Sequence, residues 1–275
     1  MKNKKVFVVT GGSGVLGMEI CRHLCKQGHD VALLSKDEEK LKEAVVQLKE
    51  ITNGKVMGVT ANVLDKYSLL QAKALIDEEL GSCEVLINAA GGNHPDGTAA
   101  TPYLQEEDLD SEVKTFYDMT TEGLRFVSDL NFLGTLLPVQ VFTKDMIGVE
   151  GCSVLNVSSM SAFSPLTKIP AYSAAKASIN NFTQWLAVYL SRVNIRVNAI
   201  APGFFLTDQN RTLLTNQEGG LTDRGEQIIA HTPMQRFGRP EDLIGVVDWL
   251  CGDQAAFVTG VVVPVDGGFS AYSGV

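Results

Sequence analysis

Basic residues are scarce in this sequence, and the shortage limits the partners it can have. Lys and Arg number 23 against 32 Asp and Glu among 275 residues, which gives a formal net charge of −9 at pH 7. Binding to a phosphate backbone needs a dense positive patch. The charge balance therefore argues against nucleic acid as a partner.

Long apolar runs are also missing. No stretch approaches the roughly 20 uninterrupted apolar residues that span a bilayer, so we expect no membrane association. Neither a signal-peptide core nor a small-residue cleavage site follows Met1, which leads us to expect a cytoplasmic protein. The remaining composition, 45% hydrophobic and 20% charged, is that of a globular protein.

Cysteines are few and widely scattered. There are five, and no Cys/His cluster has the spacing of a zinc site, so we expect no bound metal. Cys21 and Cys25 lie one helical turn apart, and we expect them to be buried as small apolar side chains.

Short β-rich runs alternate with helical stretches along the whole chain. Val6-Phe-Val-Val9 is typical of a strand that is covered on both faces. Strands are predicted at 6–9, 30–34, 55–59, 84–88, 153–157, 195–200 and 261–265, and helices at 15–27, 37–51, 65–80, 123–142, 172–191 and 240–251. The alternation predicts an α/β fold, a single-domain Rossmann-type doubly wound parallel sheet over residues 1–275 with helices on both faces.

Two connections are longer than this pattern needs, at about 92–122 and 207–234. Long connections in compact domains are usually functional lids or binding loops. Because ligands of doubly wound folds bind beyond the carboxyl ends of the strands, we expect these segments to shape the substrate site.

A glycine-rich turn, Thr10-Gly-Gly-Ser-Gly-Val-Leu-Gly17, joins the first strand to the first helix. Glycines in that position let the turn close tightly and let backbone N–H groups meet a pyrophosphate at the helix N-terminus. Alone, such a turn is a weak signal for dinucleotide binding.

A more specific pattern is Ser159 followed by Tyr172 and Lys176. Tyr172 and Lys176 are i and i+4 on a predicted helix and share one face. An ammonium beside a phenol favours the phenolate, so the pair suits general acid–base chemistry. Ser159, at the end of a neighbouring strand, is placed to hydrogen-bond the reacting oxygen.

These residues belong to a larger set of motifs that covers essentially the whole chain. The set comprises the glycine turn, Asn88-Ala-Ala-Gly91, Asn131, Ser159, Tyr172-Ser-Ala-Ala-Lys176, Pro202-Gly203 and Val265-Asp-Gly-Gly268. With them the chain resembles a short-chain dehydrogenase/reductase. The resemblance implies NAD(P)-linked oxidoreduction of a small molecule and assembly as a homotetramer.

The resemblance also implies roles for individual residues. Tyr172 would pass a proton to the carbonyl oxygen and Ser159 would orient that oxygen. Lys176 would lower the pKa of Tyr172 and hold the nicotinamide ribose, while Asn131 would position a water. The implied cofactor residues are Gly11, Ser13, Gly14, Val15, Leu16, Gly17, Ser35, Lys36, Asn62, Val63, Asn88, Ala89, Ala90, Gly91, Tyr172, Lys176, Pro202, Gly203 and Thr207.

The chain departs from the family at one position of the glycine turn. Val15 stands where the family has glycine, and Gly14 lies one position earlier. We therefore expect the individual phosphate contacts to differ from those of the family, but not the binding itself.

Within the family, further segments resemble the D-mannonate oxidoreductase (fructuronate reductase) branch, which interconverts D-fructuronate and D-mannonate. These segments are 14–17, 90–95, 131–138, 166–170 and 201–207. Two other interpretations stay open. One is another reductase of this family, similar to gluconate 5-dehydrogenase or to a 3-oxoacyl-thioester reductase. The other is a non-catalytic dinucleotide sensor, which has no need of a proton relay.

Charged and polar residues near the expected ligand site indicate the choice of cofactor and the contacts to the substrate. An acidic residue at the end of the second strand would favour NAD, but Ser35 and Lys36 stand there and favour NADP(H) weakly over NAD(H). For a sugar carboxylate we expect Lys168 first and Arg211 second. The other predicted substrate residues are Asn93, His94, Gln209 and Asn210.

Overall fold

The computed structural model describes residues 4–207, 211–216 and 219–274. Its centre is a seven-stranded sheet in the order β3-β2-β1-β4-β5-β6-β7, and every strand pair is parallel. The strands are β1 Val6–Thr10, β2 Asp30–Ser35, β3 Val56–Thr60, β4 Val85–Asn88, β5 Cys152–Val157, β6 Ile195–Pro202 and β7 Val262–Val265.

Helices cover both faces of this sheet. They are α1 Val15–Lys26, α2 Glu38–Lys49, α3 Lys66–Glu79, α4 Thr121–Ser128, α5 Gly134–Phe142, α6 Pro170–Leu190, α7 Arg211–Leu214, α8 Asp223–Ala230 and α9 Ile244–Cys251. Side chains of α1, α2 and α9 form one apolar core, and those of α3, α5 and α6 form the other. The predicted fold class is confirmed, since both faces of the parallel sheet are buried.

The order of the strands decides where a ligand binds. The chain moves outward from β1 through β2 to β3 and then returns to place β4 on the other side of β1. In open α/β sheets the crevice at such a reversal, beyond the carboxyl ends of the strands, is the ligand site. Thr10 and Asn88 are paired across these two strands and end them at this crevice.

The predicted helix over 123–142 is interrupted. Helix α4 is followed by a π-helical turn, Asp129–Leu133, and the chain then continues as α5. A π turn widens the backbone by one residue and often occurs at functional sites. It brings Asn131 into full burial beside the crevice.

The two long connections contain short helices that the sequence reading missed. The first carries the 3₁₀ turns Pro95–Gly97, Glu106–Asp110 and Phe116–Asp118, and α4 begins at Thr121. In the second, Thr222 caps α8 by accepting the Gly225 N–H. Gly225 lies inside that helix, which weakens the helical signal in the sequence.

All five cysteines are buried and unpaired. Cys21 and Cys25 pack in the core between α1 and the sheet, as predicted. Burial raises the pKa of both thiols. Among the described residues, no helix combines the length and apolar character needed to cross a bilayer.

Candidate active site

The carboxyl ends of β1 to β6 open onto a cavity of about 710 Å³. Every predicted cofactor residue except Asn88 lines it. The wall also contains residues that were not predicted to bind the cofactor, namely Leu34, Asp37, Lys40, Ala61, Leu64, Gly92, Phe126, Leu130, Val157, Ser158, Phe204 and Phe205. The structure therefore brings residues from most of the chain's length into a single site.

The glycine turn forms the floor of the cavity next to α1. A Cβ at Gly17 would lie 2.3 Å from the Gly11 carbonyl oxygen, so only glycine lets α1 approach the turn. Val15 needs no such freedom, because it is the first residue of α1 and lines the cavity. Gly14 caps α1 without a side-chain hydrogen bond, and no acidic residue lies in the first turn. This N-terminus therefore leaves backbone N–H groups and a partial positive charge for a pyrophosphate, as a dinucleotide requires.

Ser35, at the end of β2, is tied to the glycine turn. Its Oγ accepts the Ser13 hydroxyl at 2.8 Å and the Asp37 N–H at 3.2 Å, so its own proton remains available to a ligand. Lys36, Asp37 and Lys40 line the same end of the cavity. The Asp37 carboxylate lies 3.6 Å from the Lys40 ammonium, which offsets its charge.

Asn88 does not line the cavity, contrary to the prediction. It is 1% exposed, and its Nδ2 donates to Asn156 Oδ1 at 2.9 Å. Asn156 Nδ2 in turn donates to Thr183 Oγ1 at 3.0 Å. A buried polar chain thus joins β4, β5 and α6, and Asn88 directly precedes the turn of Ala89, Ala90 and Gly91 that lines the cavity.

Asn131 clamps the turn after β4. Its Oδ1 accepts the Gly92 N–H at 3.2 Å, and its Nδ2 donates to the Gly92 and Val127 carbonyl oxygens, each at 2.7 Å. Both amide protons are therefore used within the protein. The main-chain carbonyl of Asn131 accepts the Thr135 hydroxyl at 2.9 Å.

Ser159 and Tyr172 meet at the cavity wall. Ser159 Oγ accepts the Ser161 N–H at 3.2 Å and the Ser161 hydroxyl at 3.0 Å, which leaves its own proton for the Tyr172 oxygen. Burial raises the pKa of Tyr172, and a hydrogen bond from Ser159 opposes that rise. Ser161 orients Ser159 but carries no motif in the sequence, which is why it was missed.

Lys176 lies behind Tyr172 on the same face of α6. Its ammonium is buried, donates to the Val157 carbonyl oxygen at 2.8 Å, and lies 5.7 Å from the centre of the Tyr172 ring. Burial lowers the pKa of Lys176 to about 8. Burial raises the pKa of Tyr172 in this arrangement, and a lowering of that pKa by Lys176 stays a prediction.

The predicted substrate residues that the structure describes lie outside the wall of the cavity. Among the described residues, Asn93, His94, Lys168 and Arg211 do not line it. Lys168 is half-buried just before α6 and has a left-handed backbone, with φ +72°, while its carbonyl accepts the Ala99 N–H at 2.8 Å. Gln209 and Asn210 lie outside the described residues.

A doubly wound sheet, an open helix N-terminus at its crevice and a Ser-Tyr-Lys group beside it define a dinucleotide-dependent oxidoreductase. The family profile for short chain dehydrogenases matches residues 5–218. The chain belongs to the short-chain dehydrogenase family.

Its relatives share nearly its whole length. An uncharacterized Bacillus subtilis oxidoreductase, UxuB, is 52% identical over 274 residues, which cover 98% of this chain and 96% of that protein. An uncharacterized Haemophilus influenzae oxidoreductase is 47% identical over 272 residues, covering 98% and 95%. Among solved structures, a candidate D-mannonate oxidoreductase from Haemophilus influenzae with bound NAD has a TM-score of 0.95 at 47% identity, covering 100% of this chain and 98% of that one. These similarities support a nicotinamide dinucleotide as cofactor.

Proposed function

We propose that this oxidoreductase interconverts a ketone and an alcohol on a sugar acid, and that D-fructuronate and D-mannonate are its pair. The observation that supports the substrate class is the position of Lys168, a basic residue whose backbone is fixed two residues before helix α6, which carries Tyr172, in a chain of net charge −9. A non-glycine residue keeps a left-handed backbone only where the surroundings impose it, and such residues cluster at functional sites. The name of the Haemophilus influenzae relative agrees with this substrate class.

The proton in this reaction is handled by Tyr172. When bound, the nicotinamide supplies a hydride to the substrate carbonyl carbon or accepts one from the alcohol carbon. In reduction, the Tyr172 hydroxyl gives its proton to the carbonyl oxygen, and the Ser159 hydroxyl turns from Tyr172 to donate to the same oxygen. Lys176 holds the nicotinamide ribose, and the Asn131 carbonyl positions the water that passes protons onward.

We propose a modest preference for NADP(H) over NAD(H). Ser35 offers a free hydroxyl proton, and Lys36 and Lys40 place two cations at the ribose end of the cavity. The Asp37 carboxylate at the same end limits the preference, because it repels a 2′-phosphate. The other predicted cofactor residues that line the cavity are proposed to contact the dinucleotide directly.

We further propose that the chain acts in the cytoplasm as a homotetramer. Trp185, Val188 and Tyr189 on α6 are 57%, 77% and 68% exposed, and the Trp185 and Tyr189 rings stack with centroids 4.9 Å apart. Large apolar side chains in such a continuous patch are typical of a protein–protein interface. Light scattering that shows a monomer at micromolar concentration would refute the assembly.

A substrate panel tests the proposed function. Reduction of D-fructuronate, 5-ketogluconate and a 3-oxoacyl thioester is followed by NADH and NADPH absorbance, with Tyr172→Phe as the inactive control. We expect kcat/KM for D-fructuronate to exceed the other two values by at least tenfold. A larger kcat/KM for the thioester or for 5-ketogluconate would assign the chain to another branch of the family. Binding of nucleotide without turnover of any substrate would make it a sensor.

A further inference from the structure

His94 stands at the start of the 3₁₀ turn Pro95–Gly97 and caps it. Its Nδ1 accepts the Asp96 N–H at 3.1 Å. A ring nitrogen that accepts a hydrogen bond carries no proton, so the neutral imidazole has its proton on Nε2. No described residue accepts that proton.

Two contacts fix the His94 ring at the rim of the cavity. The ring packs against Phe126 with centroids 5.1 Å apart and planes tilted by 56°, and Phe126 lines the cavity. Gly92, two residues before His94, also lines the cavity and is held on both sides by Asn131. The ring therefore has a defined place, with 37% of its side chain exposed.

The Asp96 carboxylate, which lies next to the His94 ring, is paired with the Lys114 ammonium. Asp96 Oδ2 lies 3.8 Å from His94 Nδ1, while Asp96 Oδ1 accepts from the Lys114 ammonium at 2.9 Å. Lys114 also donates to the Pro95 carbonyl at 2.9 Å, and its ammonium holds the pKa of Asp96 below the ordinary value. Asp96 is thus engaged with Lys114, and its N–H fixes the orientation of the imidazole.

We propose that His94 determines specificity by donating its Nε2–H to a substrate oxygen that is not the reacting one, either a hydroxyl or a carboxylate oxygen. This inference rests on the proposed function and deepens it. An imidazole N–H donor lets the site recognise an oxygen-rich substrate, with Lys168 as its cation. The backbone joins the two residues, because Ala99 N–H donates to the Lys168 carbonyl and Thr98 Oγ1 donates to the His94 carbonyl.

Two amide substitutions separate the two ring nitrogens. His94→Asn keeps an acceptor where Nδ1 caps the turn but removes the donor at Nε2. His94→Gln places an amide N–H at the reach of Nε2 but lacks the cap. We expect His94→Asn to raise KM for D-fructuronate about tenfold, the effect of one lost hydrogen bond, with kcat within about twofold. We expect His94→Gln to recover most of that loss.

Structural damage is measured separately. The dissociation constant for NADH and the Tm should not change in His94→Asn. An equal loss of kcat/KM for fructuronate and a neutral ketose assigns the contact to a hydroxyl, and a loss for fructuronate alone assigns it to the carboxylate.

The proposal is overturned if His94→Asn keeps the wild-type KM. It is also overturned if the rise in KM is accompanied by a loss of NADH affinity and a lower Tm, because the variant is then structurally damaged. If wild-type enzyme reduces no sugar acid, the proposed function fails by itself. The same pair of variants then tests His94 with whichever polar ketone the enzyme does reduce, and an unchanged KM there overturns the role of His94.

Discussion

The Lys176 ammonium is anchored to the Val157 carbonyl oxygen at 2.8 Å and lies 5.7 Å from the centre of the Tyr172 ring. The cation is therefore fixed to the end of β5 rather than to the phenol. Burial disfavours the charged form of both groups, so it raises the pKa of Tyr172 and lowers that of Lys176 to about 8. The phenol thus keeps its proton at neutral pH, as a general acid for carbonyl reduction requires.

Replacing Tyr172 by Phe should abolish turnover while nucleotide binding survives. The ring still packs on α6, but the proton is gone. We expect kcat to fall by about 10²–10⁴-fold, the usual contribution of a positioned acid. Stopped-flow kinetics and a fluorescence titration with NADH measure the two properties. A variant that retained a tenth of the wild-type rate would show that Tyr172 is not the proton donor.

Replacing Lys176 by Met should stabilise the protein at neutral pH and remove its activity. The buried Lys176 has a pKa of about 8 against an ordinary value of 10.5, so between these limits the unfolded chain binds more protons than the folded one. The stability of the wild type therefore rises with pH through this window, and the cost of burying the ammonium is fully present below pH 8.

At pH 7 that cost is about 3 kcal/mol, and the lost hydrogen bond to Val157 offsets about 1 kcal/mol of the gain. Urea denaturation without nucleotide at pH 7 and pH 10 should show Lys176→Met about 2 kcal/mol more stable at pH 7 only. A stability difference that did not change with pH would mean that Lys176 is not buried as a cation.

Two substitutions at Lys168 distinguish the effect of its backbone conformation on stability from the effect of its charge on substrate binding. Glycine adopts a left-handed backbone freely, whereas alanine pays about 1 kcal/mol for it. Lys168→Gly should therefore be about 1 kcal/mol more stable than Lys168→Ala in thermal or urea unfolding. Both variants should raise KM for a hexuronate about tenfold and leave a neutral ketose nearly unchanged.

Arg211→Ala serves as the comparison for the carboxylate. If Lys168→Ala and Arg211→Ala each raised KM equally for the hexuronate and the neutral ketose, neither residue would bind the carboxylate. The sugar-acid assignment would then lose its physical support.

Cofactor preference should depend on Lys36. Lys36→Ala should lower kcat/KM for NADPH about tenfold and leave that for NADH within about twofold, because only NADPH carries the 2′-phosphate. Lys26→Ala, at the end of α1, is an exposed control far from that end of the cavity. A clear preference of the wild type for NADH would contradict the proposal, and Ser35→Asp would then change little.

The sequence predicted the sheet and most of the cavity because both depend on local patterns. Apolar runs such as 30–34 mark buried strands, and glycine and Tyr-x-x-x-Lys motifs mark the wall. Three features of the site rest on contacts that no sequence motif marks. The Asn131 side chain bonds Gly92, 39 residues away, and the Lys168 carbonyl accepts a bond from the distant Ala99. Ser161 is only two residues from Ser159, but nothing in the sequence indicates that it orients the Ser159 hydroxyl.

The buried chain from Asn88 through Asn156 to Thr183 sets the alignment of α6 against the sheet. In an apolar interior, sliding the helix by one turn would leave these polar groups unpaired, at about 1–3 kcal/mol for each. Apolar side chains alone would tolerate several such positions, since their attraction has little direction. The hydrogen bonds of these amide and hydroxyl groups therefore fix the distance between the nucleotide-binding turn and the proton donor. Apolar replacements of equal volume should keep the fold but let that separation vary.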